Sequence, residues 1–529
     1  MNSLRKNFFY AALFFVSVLF LYFGSVSTSP RYNFWGIDSA IFQVVGKGWA
    51  EGLLPYVNNF ENKGPLLFAI DALGYMIYPR VGIFLLQIPF MYFSLLFMWR
   101  AVELYWSRRA TLIIFAVMIF WRFSLVSEGN RTEEYSMPFL LAATYFFLRE
   151  LKNFDAKNFC PPLVGFVYGL GFGACVLLRT TNALPICCYV FLSMIWLIQS
   201  GAFKNLWRNV LSFCAGFAII CLPFVIYFQW HGILYDALYG TILFSTKMTT
   251  TYTDNSTEHF EYMFGYFFVY FVPLYLTIFV SACLLSQERK NKLAWSGIFI
   301  GFAMIVLFVK LRPILNYLEL IAAVLPIFFA VLYEWRRDML PEIKNSWHSR
   351  GFTIKRLLWK FVAVVTSLYL IFQSAVLLDK IYTNNFSDEH EHFQKKMVEV
   401  RKLGALIPQS EKNSVVFWGE GSVVSPFILE TGIFPRCRFF CNITNAFGLY
   451  DPAVITEWVQ NVRSDYPKWI IYSALEEEYT SEHIDYWSYN FRRQRHPAVE
   501  KILTEKYIFV DSMIMYGQLV KLYRLREDH

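Results

Sequence analysis

Asp38 stands shortly after the first apolar run, in Gly36-Ile37-Asp38-Ser39, and Glu61-Asn62-Lys63-Gly64-Pro65 closes the same polar segment. A carboxylate can take a proton from a nucleophile and an ammonium can hold an anion, so the pair suits general-base chemistry on an anionic substrate. Three further polar segments carry most of the other distinctive ionisable residues. They read Glu128-Gly129-Asn130-Arg131-Thr132-Glu133-Glu134-Tyr135, Arg179-Thr180-Thr181-Asn182 and Lys310-Leu311-Arg312-Pro313. Charged groups beside apolar helices are costly unless they pair or face an aqueous cavity, so their concentration on one side of a membrane argues for a site there. Each residue also has a plainer reading. Asp38 can cap a helix over 39–50, and Glu133 and Glu134 suit the N-terminus of a span. Lys63 can snorkel to the interface, while Lys310 and Arg312 can anchor a helix end among headgroups.

What positions these residues is a membrane-spanning frame. The 529-residue chain is 56% hydrophobic and 20% aromatic, which excludes an ordinary soluble enzyme. Its net charge of +8 falls in short loops between apolar runs, a distribution that orients membrane proteins and does not mark a nucleic-acid partner. Apolar runs long enough, or nearly so, to cross a bilayer lie near 8–26, 82–106, 110–127, 135–150, 162–178, 183–199, 208–230, 264–285, 293–309, 314–333 and 357–378. The first follows Lys6 and is expected to be an uncleaved span, although residues 25–29 offer small side chains near a cleavage point. Residues 65–78 are apolar but short, include Asp71 and end at Pro79-Arg80, which predicts a partly inserted helix.

Orientation supports that choice. Eleven crossings with the N-terminus inside put Arg108-Arg109 and the basic stretches 149–157, 204–208, 288–292 and 336–360 in the cytoplasm, whereas a twelfth at 65–78 would turn most of them outward. The outward loops are then 27–64, 128–134, 179–182, 231–263 and 310–313. Beyond residue 379 the apolar spans stop. Strand-like runs follow at 414–418 and 468–472, with a pair near 507–515 and 518–525, and a helical pattern over 391–406 falls among them. The expected fold is a polytopic α-helical membrane domain over 1–379 with a small extracytoplasmic α/β domain over 380–529.

Seven of the nine cysteines lie in or beside apolar segments and are expected to pack as small hydrophobes. Cys437 and Cys441 stand apart, with spacing open to a short-loop disulfide. No Cys/His cluster has zinc-site spacing, His390 and His392 included, so no metal ligand is assigned and a divalent ion is left open.

At this point the residues resemble a family. Asp38 in its Gly-x-Asp loop, the downstream Glu51-Gly52-Leu53-Leu54-Pro55-Tyr56 and then Asn62-Lys63-Gly64-Pro65 look like the first outward loop of the GT-C glycosyltransferases. The nearest in pattern are polyprenyl-phosphate-sugar-dependent enzymes such as protein O-mannosyltransferases and the aminoarabinose transferase acting on lipid A. Asn130-Arg131-Thr132-Glu133 resembles their acidic second outward loop. Leu311-Arg312-Pro313-Ile314-Leu315-Asn316-Tyr317 resembles a late element before a proline-containing span, here with Pro326. Val416-Phe417-Trp418-Gly419 with Glu430-Thr431-Gly432 is similar to the soluble domain of bacterial relatives. Two positions depart from the pattern: Ser39 stands where a second acid is common, and Asn316 where histidine is common.

The resemblance implies a membrane glycosyltransferase that moves a sugar from a polyprenyl-phosphate donor to a lipid, glycan or protein acceptor on the outer face. Asp38 would be the base of a single inverting displacement. Lys63, Arg179 and Arg312 would hold the donor phosphate, aided by Tyr317, while Asn130, Arg131, Glu133 and Glu134 would orient sugar or acceptor. A bacterial inner membrane, with the C-terminal domain in the periplasm, is the implied setting. Two other classes stay open. A transporter or flippase of a lipid-linked sugar would place ionisable groups at mid-membrane, where Asp71 is the candidate acid. A non-catalytic membrane scaffold would leave the Asp38–Lys63 arrangement unexplained. In the C-terminal region Glu420, Arg436, Arg438 and Asp451 read as surface or structural residues.

Overall fold

Prolines and glycines punctuate the apolar runs and set where helices begin. Pro65 opens one helix directly after Gly64, and Pro162 opens another after Pro161, at first-turn positions where the missing N–H of proline costs nothing. The computed structural model describes all residues except 1–2, 127, 155–158, 252–267, 286–290, 311–314, 349–353, 387–388, 444–446, 475–495, 516–517 and 527–529. The N-terminal helices are α1 (Ser3–Gly24), α2 (Asp38–Ala50), α3 (Pro65–Ile77), α4 (Val81–Glu103), α5 (Arg108–Leu125), α6 (Thr132–Lys152), α7 (Pro162–Leu178) and α8 (Leu184–Gln199). They continue as α9 (Phe203–Trp230), α10 (Leu234–Leu238), α11 (Phe244–Thr251), α12 (Val272–Leu284), α13 (Asn291–Lys310), α14 (Ile321–His348) and α15 (Ile354–Phe386).

Among the described residues, 7 helical stretches have the length and apolarity to cross a bilayer, so the chain is an integral membrane protein. Helix α3 has 13 residues, about 20 Å of rise, and is too short to span a core of roughly 30 Å. Asp71 on α3 is not the only ionisable group inside the helical bundle, contrary to the sequence expectation. Arg122 on α5 has no exposed surface and donates to Glu319 at 2.7 Å. Both lie within runs whose apolar neighbours hid them, and each stabilises the other where water is absent.

After α15 come α16 (Glu389–Ala405), β1 (Val415–Trp418), α17 (Gly421–Thr431), α18 (Ala453–Ser464), β2 (Trp469–Ala474), α19 (Pro497–Lys506), β3 (Tyr507–Met515) and β4 (Gln518–Leu525). The strands form where alternation and β-branched content predicted them. Their order is β1-β2-β4-β3: β1 runs parallel to β2 with Val415 beside Trp469, and β4 is antiparallel to β2 and β3. Every residue of β1 is buried, as expected for a parallel strand covered on both faces.

This sheet unit shares its core with the membrane part. Val424, Phe427 and Ile428 of α17 belong to one apolar cluster with Ala40, Ile41 and Val44 of α2 and Leu67 and Phe68 of α3. Gly421 makes the approach possible, because a Cβ there would lie 2.4 Å from Ile41 Cδ1. On the other side Phe60, with no exposed surface, inserts its ring among Phe439, Phe447 and Phe244, and its N–H donates to the Arg438 carbonyl at 2.8 Å. Cys437 and Cys441 are free thiols, which corrects the disulfide reading: Cys441 packs into the cluster with α2, Cys437 into the one with Phe60.

Candidate functional site

The chain reaches Asp38 through a turn that only glycine fits easily. Gly36 has φ of +78°, and a Cβ there would lie 2.8 Å from Glu128 Oε2. Ile37, not Asp38, occupies the N-cap of α2, and Asp38 makes no capping hydrogen bond. The cap comes from elsewhere in the chain. Glu128 Oε2 accepts the Ile37 N–H at 2.9 Å and its carboxylate also takes the Ser39 N–H, satisfying donors that the helix start leaves open. Asp38 is therefore released from the structural role that its position suggested.

Arg131 joins the two acids. One guanidinium nitrogen donates to Asp38 Oδ2 and the other lies 3.2 Å from Glu128 Oε2. Among the described residues Asp38 Oδ1 takes no protein hydrogen bond, and the side chain keeps 45% exposure. Loss of water raises the Asp38 pKa, but the charges of Arg131, Lys63 and Arg179 outweigh it and hold the carboxyl below its usual range. At Glu128 burial wins over Arg131 and moves the carboxyl up. Glu61 is likewise raised by burial despite its contact with Lys63.

Lys63 and Arg179 are brought together by one backbone contact. The Gly64 N–H donates to the Leu178 carbonyl at 2.9 Å, so the residues flanking that bond, Lys63 and Arg179, arrive together. A side chain at 64 would collide with Leu177 O at 2.0 Å. Lys63 Nζ is 2.8 Å from Asn62 Oδ1 and 3.2 Å from Glu61 Oε1, and its carbonyl accepts from the Tyr56 hydroxyl at 2.8 Å. Arg179 donates to Glu133 Oε1 at 3.0 Å and lies over the Tyr317 ring, 3.7 Å from its centroid.

Two of the expected site residues lie behind this surface. Asn130, in the left-handed region at φ of +56°, has no exposed surface. It donates from Nδ2 to Ser39 Oγ and Asp71 Oδ2, each at 3.2 Å, and accepts from the Tyr135 hydroxyl at 2.7 Å. Glu134 accepts the Asn130 N–H at 3.0 Å and two contacts from Gln87 at 3.1 and 3.2 Å, which caps α6 from its first turn. Both therefore set the backbone from which Arg131 projects. Arg312 lies outside the described residues, as does most of the outward loop around it.

Sequence reasoning missed the role of Glu128, and also Glu420. Glu420 precedes α17, accepts from Ser422 Oγ at 3.1 Å and from Gln518 Nε2, and lies close enough for the charge of Asp38 to act on it. Burial pushes its pKa up to about 7. Its neighbour β1 gave a signal for a strand end but none for contact with a loop hundreds of residues away. Arg436, Arg438 and Asp451 form ion pairs with Asp465, with Glu457 and Asp236, and with Lys247. No cluster of three or more His, Cys, Asp or Glu able to hold a metal ion occurs among the described residues.

No protein-family model matches the chain, and no curated protein matches it. Solved structures do. The oligosaccharyltransferase of Archaeoglobus fulgidus tethered with an acceptor peptide containing the NVT sequon matches with a TM-score of 0.52 at 12% identity, over 98% of this chain and 74% of that one. The archaeal oligosaccharyltransferase AglB from the same organism, in complex with an inhibitory peptide and a dolichol-phosphate, aligns with a TM-score of 0.49 at 11% identity, over 99% and 75%. At this identity the first likeness shows a common fold: a helical membrane part followed by a sheet-containing domain.

Proposed function

We propose that this protein is a membrane glycosyltransferase that moves a sugar from a polyprenyl-phosphate donor to an acceptor at the outer face. The observation that carries the reading is an ionised, partly exposed Asp38 with Arg131, Lys63 and Arg179 close enough for their charges to act on it. An anchored donor needs cations for its phosphate and a base for the acceptor, and these residues supply both. The archaeal oligosaccharyltransferase of shared fold, solved with an acceptor peptide, adds support for glycosyl transfer to a peptide acceptor.

In this reaction the acceptor oxygen or nitrogen attacks the anomeric carbon from the face opposite the phosphate. The bond from carbon to phosphate oxygen breaks, its electron pair stays on the phosphate, and configuration inverts. Lys63 and Arg179 meet the charge that develops on the leaving phosphate, where donors already in position stabilise the transition state most. Asp38 Oδ1 takes the acceptor proton while Arg131 holds Oδ2. A lowered pKa makes Asp38 a weak base, so proton transfer comes late, when bond formation has acidified the acceptor. Glu133 orients Arg179, Tyr317 backs it, and Glu128 fixes Arg131. Asn130 and Glu134 orient indirectly, through the backbone before α6. Arg312 remains a candidate for the same phosphate. The outer face of a bacterial inner membrane is the proposed location, with residues 380–529 on that side.

The transporter alternative draws on Asp71, which has no exposed surface, and the other ionisable pair in the bundle, Arg122 with Glu319, is also closed to solvent at 0% and 5% side-chain exposure. The test is transfer from a radiolabelled polyprenyl-phosphate sugar pool in membranes holding wild-type protein or Asp38→Asn at matched expression. Loss of transfer with donor still bound is the expected result. Equal transfer by both removes Asp38 from the mechanism, and label crossing the membrane without transfer by either favours the transporter.

A further inference from the structure

A lipid-sized groove lies away from the Asp38 site. Helices α1, α5 and α15 leave between them a groove of about 380 Å³. Phe20 and Phe23 of α1, Ile119 and Phe123 of α5, and Leu377 and Ile381 of α15 form most of its wall, and every residue lining it is apolar. The Asp38 site is built instead from the starts of α2 and α6 and the end of α7, and none of its residues lines this groove.

What separates this groove from ordinary lipid-facing surface is the charge at one end. Lys380, between Leu377 and Ile381 on α15, donates to the Phe123 carbonyl at 2.9 Å, with its ammonium 5.4 Å from the centre of the Phe123 ring. An ammonium has three donors, and the carbonyl accepts one. Glu319, whose charge reaches Lys380, is already held by Arg122 at 2.7 Å. Arg31 lies over the ring of Phe23, 5.0 Å from its centre, and is exposed. Phe23 and Phe123, the rings these cations contact, both line the groove, and Arg31 belongs to the segment that leads into Asp38, so the cations mark the end of the groove toward the Asp38 site. An apolar trough that ends at two basic side chains fits an acyl chain along its walls and a phosphate at its end.

We propose that this groove is a binding site for an anionic phospholipid of the leaflet on the Asp38 side, with one acyl chain between α1, α5 and α15 and the headgroup phosphate at Arg31 and Lys380. The occupant is a membrane lipid and not the sugar donor, whose phosphate belongs with Lys63 and Arg179. Occupancy ties α1 to α15 at the periphery of the bundle, where few other contacts join them.

The experiment is native mass spectrometry of the detergent-purified full chain, titrated with phosphatidylglycerol or phosphatidylcholine of identical acyl chains. Wild type should prefer phosphatidylglycerol by about 30-fold, the ratio expected for two basic residues near a membrane surface. Arg31→Ala with Lys380→Ala should bind the two lipids alike. Leu377→Trp, which fills the groove and keeps both cations, should bind neither above the level of non-specific adducts. Gel filtration and thermal unfolding establish that each variant is folded. No preference in wild type, or a preference surviving in the double variant, overturns the proposal. Displacement of phosphatidylglycerol by an equimolar polyprenyl phosphate overturns it as well, because the groove would then belong to the donor.

Discussion

Arg179 lies over the face of Tyr317, 3.7 Å from the ring centroid, and Glu133 fixes one of its nitrogens at 3.0 Å. The ring attracts the cation without neutralising it, so donors remain for an anion. Arg179→Lys keeps a charge but loses the planar fork and its stacking. A desolvated cation–π contact contributes ~1–2 kcal/mol, so the donor KM should rise about tenfold with a smaller change in kcat. Tyr317→Phe keeps the ring and should stay within about threefold of wild type. Steady-state kinetics with varied donor decide it: an unchanged KM in Arg179→Lys removes that residue from donor binding.

The second expectation concerns pH. Burial raises the Asp38 pKa, but Arg131, Lys63 and Arg179 bring it below the ordinary value of about 3.9. The base is the ionised form, so activity falls only as pH drops through that lowered value. Arg131→Met removes the strongest of the opposing charges, and the acidic limb of the rate profile should move upward by about a unit or more. Stability follows the same sign. The folded state binds fewer protons at Asp38 than the unfolded chain, so the contribution is present above about pH 4 and is lost as pH falls through the folded pKa. A limb that does not move in Arg131→Met counts against Asp38 as the titrating base.

Glu128 and Gly36 should behave as one device. Glu128→Ala removes the cap of α2 and one partner of Arg131. Gly36→Ala strains a backbone at φ of +78° and crowds Glu128 Oε2. Each should lower stability by roughly 1–2 kcal/mol in thermal or denaturant unfolding. Because both act on the same hydrogen bonds, the double variant should lose little more than the worse single one. Fully additive losses would mean that Glu128 caps α2 without help from the glycine turn.

These relationships mark what a sequence can and cannot disclose. The strands β1 to β4 and helix α16 were legible because alternation and helical periodicity are local, and the shortness of α3 was legible from Asp71 and Pro79. Asp38, Lys63 and Arg179 stood out because charge beside apolar segments is costly, whereas Tyr317 was singled out only through the resemblance of residues 311–317. Nothing local shows that Glu128 completes α2, since Ile37, whose N–H it accepts, lies 91 residues away in the chain. Asn130 and Arg131 are adjacent, yet one faces inward and the other toward Asp38, a division set by the left-handed backbone at Asn130. Arg122 and Glu319 escaped notice because window averages submerge a single charge in each apolar run, and only the fold pairs them.

The last prediction tests why the sheet domain is joined to the membrane part at the loop that carries Lys63. Phe60 is the joint: its ring contacts Phe439, Phe447 and Phe244, and its N–H is bonded to the Arg438 carbonyl. Phe60→Ala leaves a cavity and should cost ~3–5 kcal/mol, enough to confuse a folding defect with a catalytic one. Phe60→Leu keeps apolar bulk and the backbone bond, and should cost less than about 2 kcal/mol while loosening the ring contacts. If the domain serves to hold Lys63 in place, Phe60→Leu should raise the donor KM in the same direction as Lys63→Ala, and the two effects combined should be less than additive. Kinetics on the two single variants and the double variant provide the comparison. A wild-type KM in folded Phe60→Leu, beside a raised KM in Lys63→Ala, would separate the domain joint from donor binding and assign the sheet unit to another task.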